Sequence, residues 1–221
     1  MKILILSHTK KLSDFKIGSH HYANNLSREH NVVFIGTPLS IVHKLFGKKE
    51  KGVSQLSDNV DYRQVTPLLP LPKSRMFKLK KKNYILDKAT KKLSCEKFDL
   101  VICDTPYFVD LLDELNYELL MYRPTDDYYH MDGNNIISFE KDMVLKSDAI
   151  VATSTSVLEG INSRFNSEGK STPSFVIENG YEMGFFNSGG DIERSGAVYV
   201  GALDERFNYE DIRFLAESFP E

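Results

Sequence analysis

The chain opens on an uninterrupted apolar run, KILILS (Lys2–Ser7), and short runs like it return almost to the other end. VVFIG (Val32–Gly36), LVIC (Leu100–Cys103), LLMY (Leu119–Tyr122), AIVA (Ala149–Ala152) and FVIE (Phe175–Glu178) are the others, and Asp61–Val65, more polar, takes its place in the same series. Continuous runs of branched residues predict strands covered on both faces. Between them stand helical patterns at Ser19–His30, Val109–Leu115, Asn135–Lys146 and Ser156–Phe165. Strand and helix in alternation predict an α/β domain with a doubly wound, Rossmann-like parallel sheet. In such sheets ligands collect in the crevice outside the carboxyl ends of the strands.

After Glu178 the pattern loosens. Asn179-Gly180 is a turn signal and Ser188-Gly189-Gly190 reads as a linker, before a new strand at Ala197–Gly201 and a new helix at Tyr209–Ser218. The expected organisation is a first domain over 1–186, a linker over 187–196, and over 197–221 the first βα unit of a second, truncated domain.

Composition adds a class and removes several. A chain of 221 residues, 41% hydrophobic and 27% charged, can bury a substantial core. Its formal charge of −3 speaks against a general nucleic-acid binder. No window approaches the roughly 20 apolar residues of a membrane span, and the start MKILILSHTKK has no signal-peptide cleavage site. Cys95 and Cys103 read as reduced core residues, and the whole as a cytosolic protein. Charge is unevenly spread. Residues 73–92, KSRMFKLKKKNYILDKATKK, carry nine Lys or Arg against one acid. The basic positions, including Lys80 and Lys81, share one side of a helical wheel, and Met76, Leu79, Leu86, Ala89 and Leu93 another. Two readings remain open: a solvated helix face, or a patch (Lys78, Lys80, Lys81, Lys82) docking on an anionic membrane.

Candidate chemistry sits at the ends of the strands. No G-x-G-x-x-G follows the first strand, which counts against a nicotinamide-dependent dehydrogenase. Instead a polar loop ends at Gly18-Ser19-His20-His21, with Ser19 the expected N-cap and the histidines candidates for a substrate hydroxyl or phosphate. Asp104-Thr105-Pro106 follows the LVIC strand. In MYRPTDDYYHMDG (Met121–Gly133), Asp126 and Asp127 lie just past the LLMY strand. A metal site is a poor reading of that pair, since no third ligand stands at a convincing spacing. A turn is one alternative. The other is a general base, one carboxylate raising the pKa of its neighbour.

Taken in order, these pieces resemble the N-terminal half of GT-B glycosyltransferases. The nearest group makes bacterial capsular, teichuronic-acid-like and xanthan-like surface polysaccharides, its glucuronosyltransferases included. GSHHYANNLSREHNVVFIG resembles that family's first helix and second strand, and VTPLLPLP its proline-leucine segment. MYRPTDDY resembles a "vYd–vDDy" motif, SDAIVATSTSVLEGI an "aD–V–atS–L" motif, and VIENGYEMGFF an "–pNGvD–F" element. YVGALDERFNYEDIRFLAESFPE resembles the "GalDeR" opening of the C-terminal domain.

The resemblance implies an acceptor-binding half facing a donor-binding half across a cleft. It implies transfer from a nucleotide-sugar to a lipid-linked saccharide at the inner face of the cytoplasmic membrane, without a divalent metal. It also strengthens the membrane-docking reading of the basic segment. Carried over, Asp127 is the catalytic base of an inverting reaction. Gly18, His20, His21, Thr105, Asp126, Ser154 and Asn179 bind substrate. There are departures. Arg123-Pro124 stands where the family often has an acid, and Tyr181-Glu182 replaces Val-Asp. The donor half is expected to be missing beyond its first βα unit, so the chain is expected to be inactive alone. An alternative of another class is a non-catalytic acceptor-binding, membrane-docking subunit needing a separate donor-binding partner. A sugar-nucleotide epimerase is a third reading that no residue favours.

Overall fold

The structure, a computed structural model, describes residues 1–14, 16–38, 40, 42, 45–46, 52–65, 92–165, 171–180, 184, 196–199 and 207–219. The basic segment with Lys78, Lys80, Lys81 and Lys82, and most of the expected linker, lie outside them. The chain divides into two compact units, Met1–Asn179 and Gly180–Glu221.

The first unit is built on seven parallel strands. In chain order these are β1 (Lys2–Leu6), β3 (Asn31–Ile35), β5 (Asp61–Tyr62), β6 (Lys97–Cys103), β7 (Asn116–Tyr122), β8 (Ala149–Ala152) and β9 (Ser174–Val176). Across the sheet they stand in the order β5-β3-β1-β6-β7-β8-β9. The chain winds outward from β1 in one direction, then crosses back to β6 and winds in the other. The topological switch point therefore lies between β1 and β6, where Ile3 pairs with Leu100 and Leu6 with Cys103. A separate two-stranded antiparallel ribbon joins β2 (Leu12–Ser13) to β4 (Val53–Ser54), an element that the apolar pattern does not announce.

The continuous apolar runs are explained by a core on each face. Leu4 and Leu6 of β1 point to one side, with Val33, Ile35, Val101, Cys103, Leu120 and Tyr122. Ile3 and Ile5 point to the other, with Val32, Phe34 and Ile102. Side chains of a strand alternate between faces, so only an element buried on both can be apolar at every position. Fully burying each such side chain contributes roughly 1.5–3 kcal/mol.

The helices of the first unit are α1 (Gly18–Leu26), α2 (Val109–Leu112, entered through a 3-10 turn at Pro106–Phe108), α3 (Tyr128–Asp132), α4 (Asn134–Lys146) and α5 (Thr155–Phe165). Ile136, Phe139, Met143, Val157, Ile161 and Phe165 of α4 and α5 fill the first face, and Ala23 of α1 packs into the second. The first helix begins at Gly18, with Ile17 at the N-cap position, not Ser19. Ser19 is buried, and its hydroxyl accepts from Ser7 at 2.9 Å, so it ties the helix to the end of β1 instead of capping it. Both cysteines are free; Cys103 is buried as expected, but Cys95 is exposed, beyond the last buried residue (Leu93) before β6.

In the second unit α6 (Tyr209–Ser218) forms where the pattern places it, capped by Asn208, whose side chain accepts from the Glu210 and Asp211 amides. Of the expected strand at Ala197–Gly201 the structure describes residues 197–199, which are outside any strand among the described residues. No helix among the described residues is long and apolar enough to cross a membrane.

Candidate active site

Four strands deliver their carboxyl-end loops to one narrow crevice of about 70 Å³ at the switch point. His8 arrives from β1, Thr37 and Pro38 from β3, Thr105, Tyr107 and Phe108 from β6, and Asp126, Tyr128, Met131 and Asp132 from beyond β7. The loops after β1 and β3 touch: a Cβ on Gly36 would lie 2.1 Å from the Thr9 carbonyl oxygen, so only glycine fits. The Thr37 amide donates to that same carbonyl at 3.0 Å.

Beneath the crevice lies Asp104, 1% exposed. Its amide continues the sheet by donating to the Leu6 carbonyl at 3.0 Å. Its Oδ1 accepts from the His8 amide at 3.0 Å and stands 3.5 Å from His8 Nδ1. Oδ2 is buried without a hydrogen-bond partner among the described residues. The Tyr128 hydroxyl donates to the Asp104 carbonyl and is held from ionising by burial. Tyr107 donates to Asp132 Oδ2 at 2.7 Å; burial, then the Asp132 charge, raise its pKa well above the ordinary phenol value. The crevice thus offers an imidazole backed by a buried carboxylate, with two further carboxylates, Asp126 and Asp132, on its wall. Such a set suits hydroxyl recognition and proton removal.

Asp126 and Asp127 do not act as a pair. Asp126 is exposed and faces the crevice, accepting from the Thr125 hydroxyl at 2.9 Å. Asp127 turns the other way and caps α3, accepting from the Tyr129 and His130 amides. It lines a different, open depression of about 870 Å³ with Tyr129, His130, Glu159, Gly160 and Arg164. The expectation that one aspartate raises the other's pKa is corrected. Burial pushes Asp127 up, but the His130 side chain 2.8 Å away, the Arg164 guanidinium at 3.3 Å and the helix amides outweigh it. Its pKa falls below the ordinary carboxylate value, which suits a cap and makes a weaker base.

The remaining sequence candidates scatter. Thr105 is 3% exposed and lines the crevice. His20 is fully buried, not on the surface. Its Nδ1 accepts from the Ile17 amide at 3.2 Å, so its proton resides on Nε2, which donates to the Lys10 carbonyl at 2.8 Å. Burial lowers its pKa and keeps it neutral, a latch for the Ser7–Ile17 loop. His21 is half-buried on the same helix. Ser154 accepts from the Val157 amide at 3.3 Å at the start of α5, a capping contact. Gly18 and Asn179 both lie against Arg123. The sequence pattern singles out neither His8 nor Tyr107, and Asp132 only as a neighbour of the acidic pair, although the position of His8 directly after the first strand marks it as a carboxyl-end residue.

No family model and no curated protein matches the chain by sequence. Solved structures match its fold, two of them with a TM-score of 0.50. The lipopolysaccharide outer core galactosyltransferase WaaB, in its apo form, superposes with a TM-score of 0.50 at 14% identity, over 80% of this chain and 45% of that one. Alr3699/HepE of Anabaena, in complex with UDP-glucose, gives a TM-score of 0.50 at 14% identity, over 82% and 44%. The chain spans less than half the length of either. Its fold is that of one half of a GT-B glycosyltransferase structure, a Rossmann-like domain.

Proposed function

We propose that the chain is the acceptor-binding half of a glycosyltransferase that moves a sugar, hexosyl or glucuronosyl, from a nucleotide-sugar to a saccharide acceptor. One observation carries this reading: an imidazole, His8, stands over a buried carboxylate, Asp104, at the switch-point crevice. In the reaction, His8 takes the proton of the acceptor hydroxyl at Nε2 while Nδ1 turns to Asp104. Asp104 orients the ring and stabilises the imidazolium, the arrangement by which a buried acid supports a histidine base. Asp126 and Asp132 accept hydrogen bonds from neighbouring sugar hydroxyls. This places the base at His8 and leaves Asp127 with the cap of α3. The acceptor is a lipid-linked saccharide of surface-polysaccharide synthesis, and the basic segment rests on the anionic inner face of the cytoplasmic membrane. The sequence motifs support these last assignments.

The acceptor part is testable on the chain itself. Tyrosine fluorescence and calorimetry with a panel of neutral and acidic oligosaccharides should detect binding that His8→Ala and Asp126→Asn each weaken. A panel without a single binder would overturn the reading. Turnover of a nucleotide-sugar with no acceptor present would replace it with an epimerase.

A further inference from the structure

The segment between β1 and α1 carries His8 to the crevice, and one side chain of α1 grips that segment at two points. His20 is fully buried at the third position of α1, counted from the Ile17 N-cap. Its Nδ1 accepts from the Ile17 amide at 3.2 Å, and its Nε2 donates to the Lys10 carbonyl at 2.8 Å, with the Thr9 hydroxyl 3.4 Å away. The ring lies nearly parallel to Phe34 of β3, with 18° between the planes. His20 thus stands where Glu or Gln stands in a capping box, reaching back to the N-cap amide. An imidazole differs from those residues in one respect: it loses its acceptor nitrogen when it takes up a proton near neutral pH.

The residues that the ring grips are those that set His8. The Thr9 amide donates to the Ser7 hydroxyl at 3.1 Å, and the Thr9 carbonyl accepts from the Thr37 amide at 3.0 Å. Thr37 donates in turn through its hydroxyl to the His8 carbonyl. His8 and Thr37, both on the crevice wall, are therefore bonded to one another and to Thr9, next to the Lys10 carbonyl that His20 holds. A second proton on the ring does not fit this geometry. Placed on Nδ1, it would face the Ile17 N–H across 3.2 Å, donor against donor. Of the charged groups around the ring, His21 on the same helix and His8 on the loop repel an imidazolium. Asp104, just after β6, attracts it, but its Oδ1 is engaged by the His8 amide at 3.0 Å. Lys10 approaches through its backbone carbonyl, and β3 offers the neutral Phe34. Burial is the largest influence and holds the ring neutral.

We propose that His20 is a positioning residue for the crevice and a proton-operated latch: neutral, it holds the loop and with it His8; protonated, it gives up the Ile17 amide and releases the loop. The sign follows from the direction of the pKa. The neutral ring holds fully above the ordinary histidine value of about 6.5, and the hold is lost as pH falls toward the lowered value. The latch is a property of the loop and stands whatever ligand the crevice takes, so it survives a failed saccharide-binding test.

Nuclear magnetic resonance on the full chain reads the latch directly, from about pH 7.5 down to about pH 4.5, across the histidine range. The Thr9, Lys10 and Thr37 amides report the loop, Val101 and Ile150 the sheet, and the ring nitrogens of His20 its protonation. The loop amides should shift and lose exchange protection at the midpoint at which His20 titrates, while the sheet amides hold. The decisive variant is His20→Gln. Its Oε1 accepts from the Ile17 amide and its Nε2 donates to the Lys10 carbonyl, as the imidazole does, but it does not titrate. The loop should then stay in place throughout the range. His8→Gln should keep the transition, which separates the latch from the titration of His8 itself beside Thr9. His21→Gln removes a repelling neighbour and should move the midpoint slightly upward. A loop transition that persists in His20→Gln, or loop and sheet amides that move at one pH, overturns the proposal. Should His20→Gln not fold, the native chain decides: coincident midpoints for the His20 ring and the loop support the latch, and separate ones overturn it.

Discussion

Asp126 and Asp127 are neighbours in the chain and belong to different worlds in the fold. Around Asp126 lie His8, Tyr107, Tyr128 and Asp132, in a crevice where acids outnumber bases among the described residues. Around Asp127 the buried charges pair with one another. Arg164 bridges it to Glu140, Glu140 accepts from the Tyr122 hydroxyl at 3.0 Å, and His130 closes the outer side. The first region keeps its polar groups available; the second consumes them in holding α3, α4 and α5 together. Two adjacent acids therefore occupy two different settings, divided by the residue at which a helix begins.

The sharpest way to break this contrast is through catalysis. If the chain is the acceptor half of the proposed transferase, then with a donor-binding half present His8→Ala should lower kcat by about 10²–10⁴-fold, the range of general acid–base groups, with little change in unfolding temperature. Asp127→Asn should leave kcat within a few-fold. Steady-state kinetics on both variants would invert the assignment if Asp127→Asn were the crippled one. Next in size is Arg164→Met. It strands Glu140, whose side chain is 1% exposed, without its cation. A loss of about 3 kcal/mol in urea unfolding is expected, as for other broken buried pairs. Smaller again, Asp127→Ala should cost about 1 kcal/mol through the α3 cap.

The smallest effect separates the two acids held by Arg164, by the pH dependence of stability. Asp127 is held below its ordinary pKa, so its contribution is full above the ordinary aspartate range and disappears as pH falls through the lowered value. Glu140 is raised, first by burial, which outweighs Arg164 and Tyr122. Its contribution is full below the ordinary glutamate pKa and declines as pH rises through the raised value. Urea unfolding across the acid range should therefore change slope in opposite senses for Asp127→Asn and Glu140→Gln. Parallel shifts would show that the two carboxylates titrate as one group.

Much of this was readable from residues alone, and unevenly. AIVA is a strand over the span that its apolar run predicts, and Tyr209–Ser218 is a helix at both predicted ends. Burial on both faces leaves a continuous apolar signature, and an amphipathic helix a periodic one. By contrast α3, five residues long, has no stripe to read, and its cap, Asp127, looked like half of an acidic pair. The β2–β4 ribbon carries two residues on each strand, too few for any period to appear. His20 shows the same limit at a single residue. Two consecutive histidines at a helix start suggest exposure, yet one fills the core beside Phe34, with ring centroids 6.0 Å apart.

The sequence by itself determined the parallel α/β sheet and where along the chain its carboxyl-end loops would fall. These follow from local rules, period and run length, that each segment obeys alone. Only the tertiary structure decided which loop residues face one another. His8 meets Asp104 across 96 positions of chain, and Arg123 meets Tyr22 across 101. Such meetings are set by strand order and by the direction in which each chain end leaves the sheet. Whether a polar side chain becomes a cap, a latch or a reactive group depends on the neighbours that this order supplies.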